Sequence, residues 1–249
     1  LVTGVQTCAL PICSRVETNE IATTRDGRDI TRGFVDALDT LAPQDTILQG
    51  RGAGDYRIYE AVLRDDQVMS TFQQRRLAVV SKEWEVIPGG DSRQDKRAAD
   101  FISEMLKHVS WDSVTDKMLF GVFFGYAVSE CMWVRDGSLI ALDEIKVRNR
   151  RRFKFAPDMT LRLLTSSKPT GEELPPRKFW AYSTGADNDD EPYGLGLAHW
   201  LYWPVLFKRN GIKFWLIFLE KFAQPTAVGR HPKNATPEER KKLLATLQA

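Results

Sequence analysis

AVSECMWVRDGSLIALDEIKV, residues 127–147, is the stretch on which the fold turns. From Ala127 to Val134 the residues alternate at the period of a strand. Asp136-Gly137 separates that run from a second one, Leu139 to Val147, and an Asp-Gly pair between two such runs is the strongest short-range signal for a hairpin. Two antiparallel strands are expected here. Working outward, further strands fit Arg151 to Phe155, Thr160 to Leu164 across the Pro157-Asp158 turn, and Lys178 to Tyr182 after a loop holding Pro169, Gly171, Pro175 and Pro176. The middle of the chain therefore reads as a small antiparallel sheet.

Upstream of it the period is helical. A helix is predicted from about Asp66 to Val80, with Val68, Met69, Phe72 and Val79 near one side and Gln73, Gln74, Arg75 and Arg76 over the rest. A short strand, Trp84 to Ile87, closes at Pro88-Gly89-Gly90. Ser92 then caps a second helix whose apolar positions are Ala98, Phe101, Ile102, Met105 and Val109. A third starts at Asp112 and carries Val114, Met118 and Val122, with Gly121 and Gly125 as places where another backbone can approach closely. Residues 14–64 are polar and turn-rich, with Asp26-Gly27 and Gly50-Arg51-Gly52-Ala53-Gly54 limiting regular structure, and read as an arm that packs on something else.

Downstream, the acidic loop Asp187 to Glu191 leads through Pro192-Tyr193-Gly194 into a long helical region, Leu197 to Phe222. Trp200, Trp203, Phe207, Phe214 and Phe218 form an aromatic stripe along it at spacings of three, four and seven. Pro204 must kink that helix or mark its first turn, and Pro225 ends it near Ala223. Thr236-Pro237-Glu238-Glu239 is a good helix start. The fold class is α+β: helices with a small antiparallel sheet, followed by a long helix.

Composition bounds the partners. The chain has 249 residues, 43% of them hydrophobic, enough for a real core. Its 35 basic and 33 acidic side chains leave a formal charge of +2, so any contact with nucleic acid has to be local. Three cysteines make no disulfide framework. The apolar region Leu195 to Leu219 is long enough for a bilayer but carries His199, Lys208, Arg209, Asn210 and Lys213, which argues against a membrane span. The opening LVTGVQTCALPIC lacks the basic region of a signal peptide and resembles translated sequencing-adapter read-through, so residues 1–13 are expected to be a non-native leader. The last predicted helix stops without a capping signal, and the natural protein is expected to continue past Ala249.

Lys146, Arg148, Arg150, Arg152 and Lys154 are five basic residues at every second position. On a strand they would share one face about 6.6–6.8 Å apart, close to the phosphate spacing of a nucleic-acid strand. The more ordinary alternative is a solvated or subunit-facing strand that meets Asp187, Asp189, Asp190 and Glu191 of a neighbour. Stacking of the aromatic stripe on bases is possible in principle, but such stripes far more often pack helices together, so Trp200, Trp203, Phe207, Phe214 and Phe218 are candidate subunit-contact residues. Lys208, Arg209, Lys213 and Lys221 occupy the remainder of that helix, facing solvent or, in a pore, DNA. Signals for catalysis are weak. His108, His199 and His231 stand alone without the spaced partners of a metal site, there is no phosphate-binding loop, and Gly194-Leu195-Gly196 fails the dinucleotide pattern because His199 stands where its last glycine belongs. Ser129, Glu130 and Cys131 sit on a predicted strand without a base in reach. Asn234-Ala235-Thr236 is a glycosylation sequon in form only.

Three groups of segments together resemble the portal proteins of Mu-like bacteriophages: FQQRRLAVVSKEWEVIPGGDS at residues 72–92 with DKRAADFI at 95–102; RRFKF at 151–155 before LRLLT and LPPRKF; and EPYGLGLAHWLYWPVLFKRNGIKFWLIFLEKFAQPTAVGRHP at 191–232. The resemblance runs from about Asp26 to the end. It implies a ring of typically about twelve subunits at one vertex of the phage head, through which double-stranded DNA is packaged and ejected. It also implies contacts with the terminase large subunit, with capsid proteins and with head–tail joining proteins, a place in the virion after assembly in the host cytoplasm, and no cofactor or chemistry of its own. Residues 65–195 would then be a wing-like region, 196–223 a stem-like helix and 224–249 the start of a clip-like region. Other readings are a nucleic-acid-binding or processing protein of a mobile element, suggested by the basic run, and a capsid or adaptor protein.

Overall fold

The computed structural model describes residues 40–137, 139–223 and 228–248, which fall into two units, one reaching to Trp200 and the other beginning at Leu201. The expected leader, residues 1–13, and the first part of the expected arm lie outside the described residues. In chain order the first unit holds α1 (Thr46–Gly52), α2 (Arg57–Leu63), α3 (Asp66–Val80), α4 (Arg93–His108), α5 (Trp111–Met118), α6 (Phe120–Phe124), β1 (Tyr126–Asp136), β2 (Leu139–Arg148), β3 (Phe153–Phe155), β4 (Leu161–Leu163), β5 (Glu172–Glu173) and β6 (Phe179–Ser183), and ends in the first turn of α7 (Leu197–Phe222).

Local chemistry explains the helix starts. Asp65 accepts from the Val68 amide at the start of α3, and Ser92 accepts from the Asp95 amide at the start of α4, each satisfying a donor that has no partner inside the helix. The hairpin forms as expected: β1 and β2 pair antiparallel from Val128–Arg148 to Asp136–Leu139, with an irregularity between Met132 and Trp133. Gly137 sits at φ +57°, in the left-handed region the turn needs.

Four expectations are corrected. The middle of the chain holds two three-stranded antiparallel sheets instead of one, in the orders β2-β1-β6 and β3-β4-β5. Trp84 to Ile87 forms no strand; the indole of Trp84 instead donates to Asp112 at 3.0 Å, which ties the segment to α5. The strand expected from Arg151 begins only at Phe153, because Arg150–Arg152 is a 3₁₀ turn whose first free amide, on Arg151, is taken by the Asn149 side chain. The segment 40–64 is not irregular either. Gly50 is taken up inside α1 and Gly52 ends it, and Leu41, Ile47, Leu48, Tyr56, Tyr59 and Val62 are all buried.

The core has two parts. In one, Val109, Val114 and Met118 from α5 and its approach pack on Ala127 and Ile145 of the hairpin. In the other, the rings of Tyr56, Tyr126, Phe155 and Tyr193 meet edge to face, with Phe155 and Tyr193 centroids 4.9 Å apart, an arrangement that adds to simple burial. The hydroxyls of Tyr126 and Tyr193 are satisfied. Tyr126 donates to the Arg150 carbonyl at 2.8 Å, and Tyr193 donates to the Leu41 carbonyl at 2.8 Å while accepting from the Phe155 amide.

Between these parts three backbone segments cross in contact. The Thr184 amide donates to the Gly125 carbonyl and the Leu195 amide to the Thr184 carbonyl. A Cβ on Gly196 would lie 2.2 Å from the Phe123 carbonyl oxygen, and one on Gly125, whose φ is +102°, would lie 2.6 Å from that of Tyr193. Only glycine fits such a crossing.

The second unit contains the rest of α7 and α8 (Pro237–Gln248). The expected helix start is present as a reciprocal cap: Thr236 Oγ1 accepts from the Glu239 amide, and the Glu239 carboxylate accepts from the Thr236 amide.

Gly196→Ala is therefore expected to destabilise the chain by about 3 kcal/mol or to prevent folding. Gly211→Ala, inside α7 with nothing within 4 Å of the added methyl, is expected to be neutral or stabilising by about 0.5–1 kcal/mol. Urea denaturation followed by circular dichroism distinguishes the two.

Candidate channel and subunit-contact residues

The five alternating basic residues do not share a strand face. Lys146 and Arg148 end β2, Arg150 and Arg152 belong to the 3₁₀ turn, and Lys154 is central in β3. Their environments differ as much as their positions. The Lys146 ammonium lies 2.9 Å from Glu144, and the Arg148 guanidinium contacts the Glu130 carboxylate at 2.7 Å. Arg150 is packed over the Phe124 ring, 3.7 Å from its centroid, and donates to the Tyr126 carbonyl. Burial lowers the pKa of this guanidinium, while the neighbouring Tyr126 and Tyr56 hydroxyls act in the other direction. Arg152 is exposed and Lys154 half-buried.

The acidic loop is divided too. Asp187 and Asp189 are exposed, whereas Glu191 is buried and accepts from the backbone amides of Gln44 and Tyr193 at 3.1 and 3.0 Å. Glu191 thus holds the loop's base against the segment before α1 and is not a surface group.

On α7 the predicted aromatic residues are uncovered within the chain: Trp200 is 64% exposed, Phe207 65% and Phe214 68%, with Trp203 and Phe218 also exposed. Trp215 and Phe222, which the stripe did not include, are exposed as well. At 100° per residue, Trp200, Trp203, Phe207, Phe214 and Phe218 fall in an arc of about 60°. Arg209 projects from the opposite side, and Lys208 and Lys213 lie roughly at right angles to the arc. Lys221 falls within the arc, its ammonium 5.3 Å from the Phe222 ring centroid.

One cluster had no signal in the sequence. Asp45 Oδ1 accepts from the amides of Ile47 and Leu48, capping α1, and lies 2.8 Å from Nδ1 of His199, 154 residues away. Its other oxygen accepts from the Tyr59 hydroxyl. A carboxylate can only accept, so Nδ1 of His199 carries the proton. With contacts to both oxygens, Asp45 serves as a joint between α1, α2 and the first turn of α7. Asp45 preceding Thr46-Ile47 is legible as a cap; the link to His199 depends on tertiary structure.

Among the described residues no group of three or more His, Cys, Asp or Glu side chains is arranged to hold a metal ion, and no helix is long and apolar enough to cross a membrane.

Residues 56–249 match the family described as the portal protein of Mu bacteriophage. The chain is 30% identical over 186 residues to the portal protein of Escherichia phage Mu, a match covering 73% of this chain and 36% of the relative. It is 23% identical over 192 residues to the Mu-like prophage FluMu protein gp29 of Haemophilus influenzae, covering 75% of this chain and again 36% of the relative. The chain thus spans little more than a third of the length of these curated relatives.

Asp45→Ala removes a cap and strands the Tyr59 hydroxyl and the His199 N–H in a buried site; a loss of about 2–4 kcal/mol in urea denaturation is expected, against a smaller loss for Asp45→Asn. A loss below about 1 kcal/mol for the alanine variant would show that the cluster holds nothing together.

Proposed function

Because the chain belongs to the family of Mu bacteriophage portal proteins, we propose that it forms part of a head–tail connector, a homo-oligomeric ring through which double-stranded DNA enters and leaves the phage head. The observation that carries this reading is the surface of α7. From Phe207 to Phe222 every residue is exposed, and Phe214-Trp215-Leu216-Ile217-Phe218-Leu219 is apolar all the way round the helix. So large an apolar surface calls for a cover that the described residues do not supply. Copies of the same helix, side by side in a ring, satisfy that requirement with the aromatic arc between neighbours.

In this reading α7 is the stem-like helix, residues 65–195 form the wing-like region, and residues after 224 begin the clip-like region. The aromatic arc faces adjoining subunits, and the side of the helix that carries Arg209, with Lys208 and Lys213 at its flanks, faces the channel. Basic groups repeated around a ring create a diffuse positive lining without a large charge on each subunit. The terminase large subunit, capsid proteins and head–tail joining proteins are the expected partners, and the assembled ring resides in the virion. The function calls for no cofactor and no catalytic step. The rival reading, a nucleic-acid-processing protein, drew on five basic residues sharing one strand face, an arrangement that the 3₁₀ turn breaks.

Electron microscopy of the full-length gene product is expected to show closed rings with a central hole that admits duplex DNA, and Phe214→Glu with Phe218→Glu is expected to shift them to monomers. A wild-type product that stays monomeric, or forms flat sheets, overturns the reading.

A further inference from the structure

Two clusters of opposite charge in the unit ending at Trp200 have no ion-pair partner among the described residues. Where the 3₁₀ turn runs into β3, neither Arg152 nor Lys154 forms an ion pair among the described residues. Lys154 and Arg151 share a hollow of about 240 Å³ with Tyr56, Tyr126 and Tyr193 in its lining. Asp55, also in that lining, is already held by Arg57 at 2.7 Å and Arg151 at 3.0 Å. Although desolvation pushes its pKa up, hydrogen bonds from Arg57 and the two guanidinium charges outweigh this and hold it below the usual carboxylate value. Next to Lys154 in strand register stands Arg162, whose Nε is buried with no hydrogen-bond partner; Glu173 faces it across β5, and Asp158 lies in its field. The face keeps an excess of positive charge.

The anionic counterpart is the loop before Tyr193. Asp187 takes only the Asn188 amide, and none of Asp187, Asp189 and Asp190 forms an ion pair among the described residues. The loop is anchored at its base by Glu191, so its carboxylates are presented from a fixed root.

We propose that residues 187–190 of one copy dock on the Arg152 and Lys154 face of the next. The inference rests on the ring reading and adds its polar contact. Charge complementarity favours this occupant over DNA. Two of the five alternating cations are neutralised within the chain and one is packed on an aromatic ring, so the regular spacing that would match phosphates is gone. What remains is a compact pair, suited to a compact anion. DNA on that face would leave three carboxylates unanswered, whereas each copy carries one cluster of each sign. A head-to-tail contact of that kind repeats around a closed ring. Such exposed pairs contribute little affinity and mainly set register and partner choice; the aromatic arc of α7 supplies the apolar contact.

The test is charge reversal in the full-length gene product, with native mass spectrometry reading the fraction in rings. Arg152→Glu with Lys154→Glu is expected to lower the association constant about tenfold or more, as is Asp189→Lys with Asp190→Lys; all four together are expected to restore it to within about threefold of wild type. Circular dichroism checks that each variant is folded, and where a reversal does not fold, Lys154→Gln and Asp189→Asn replace it, each expected to flatten the salt dependence of assembly. If the wild type forms no rings, the ring reading itself fails. Wild-type rings with undiminished assembly in either reversal overturn the docking alone, and a loss of packaged DNA in such rings would give the basic face to DNA. Reversals that each weaken assembly but do not rescue one another also overturn it.

Discussion

The structure depends first on a place where side chains are forbidden. At Gly125, Thr184 and Gly194 to Gly196 three backbone segments touch, and Gly196 would put a methyl inside the contact distance of a carbonyl oxygen. The crossing joins the end of α6, the end of β6 and the approach to α7, elements separated by up to about seventy residues of chain. It sets where α7 begins. The Gly194-Leu195-Gly196 sequence has the look of a ligand-binding loop, yet the Gly194 amide donates to the Glu191 carbonyl and the Leu195 amide to that of Thr184, and the close backbone contacts at Gly194 and Gly196 are a sufficient reason for these glycines.

Elsewhere in the first unit, polar groups hold elements in place. Asp45 unites a helix cap, a tyrosine and a histidine; Glu191 takes two backbone amides; Arg76 lies 4.1 Å over the Phe120 ring with Asp116 beside it. Arg76 keeps a buried Nε without a hydrogen-bond partner, whereas Asp45 and Glu191 are buried groups whose burial is tolerable because their partners are fixed. Arg150 follows the same rule, and this explains why a run of alternating cations in the sequence does not become a row of alternating cations in space. Asn149 captures the Arg151 amide, the backbone tightens into a 3₁₀ turn, and the period of two is lost for three residues.

Where local rules decide the outcome, the sequence was readable. Asp65 and Ser92 cap α3 and α4 where expected, the Asp136-Gly137 pair sits at a hairpin turn, α7 runs from Leu197 to Phe222, and Thr236 with Glu239 starts α8. The failures have a common physical origin in tertiary contacts. Trp84 to Ile87 has strand-forming residues but no neighbouring ladder, and its tryptophan is claimed by Asp112. Residues 46–52 form a helix despite their glycines because Ile47 and Leu48 are buried and Asp45 caps them, a case of packing overriding propensity. The candidate site was legible only as a list of residue types. Which bases are free and which are neutralised depends on Glu130, Glu144 and Asp55, none of which stands out by spacing.

Near-neutrality and an uncovered apolar helix belong together. A formal charge of +2 gives the chain no strong global field for a polyanion, and the proposed conduit for moving DNA would have no use for tight binding, since each firm phosphate contact would have to break at every step. Repetition in a ring resolves this, because weak fields add around an axis while each contact stays easily broken. The proposed ring would also give α7 partners: apolar residues cover its whole circumference between Phe214 and Leu219, and a helix flanked by two copies of itself has protein on more than one side. On the proposed ring, charge in the first unit and apolar surface on α7 would divide the work of assembly, the first aligning neighbours and the second holding them.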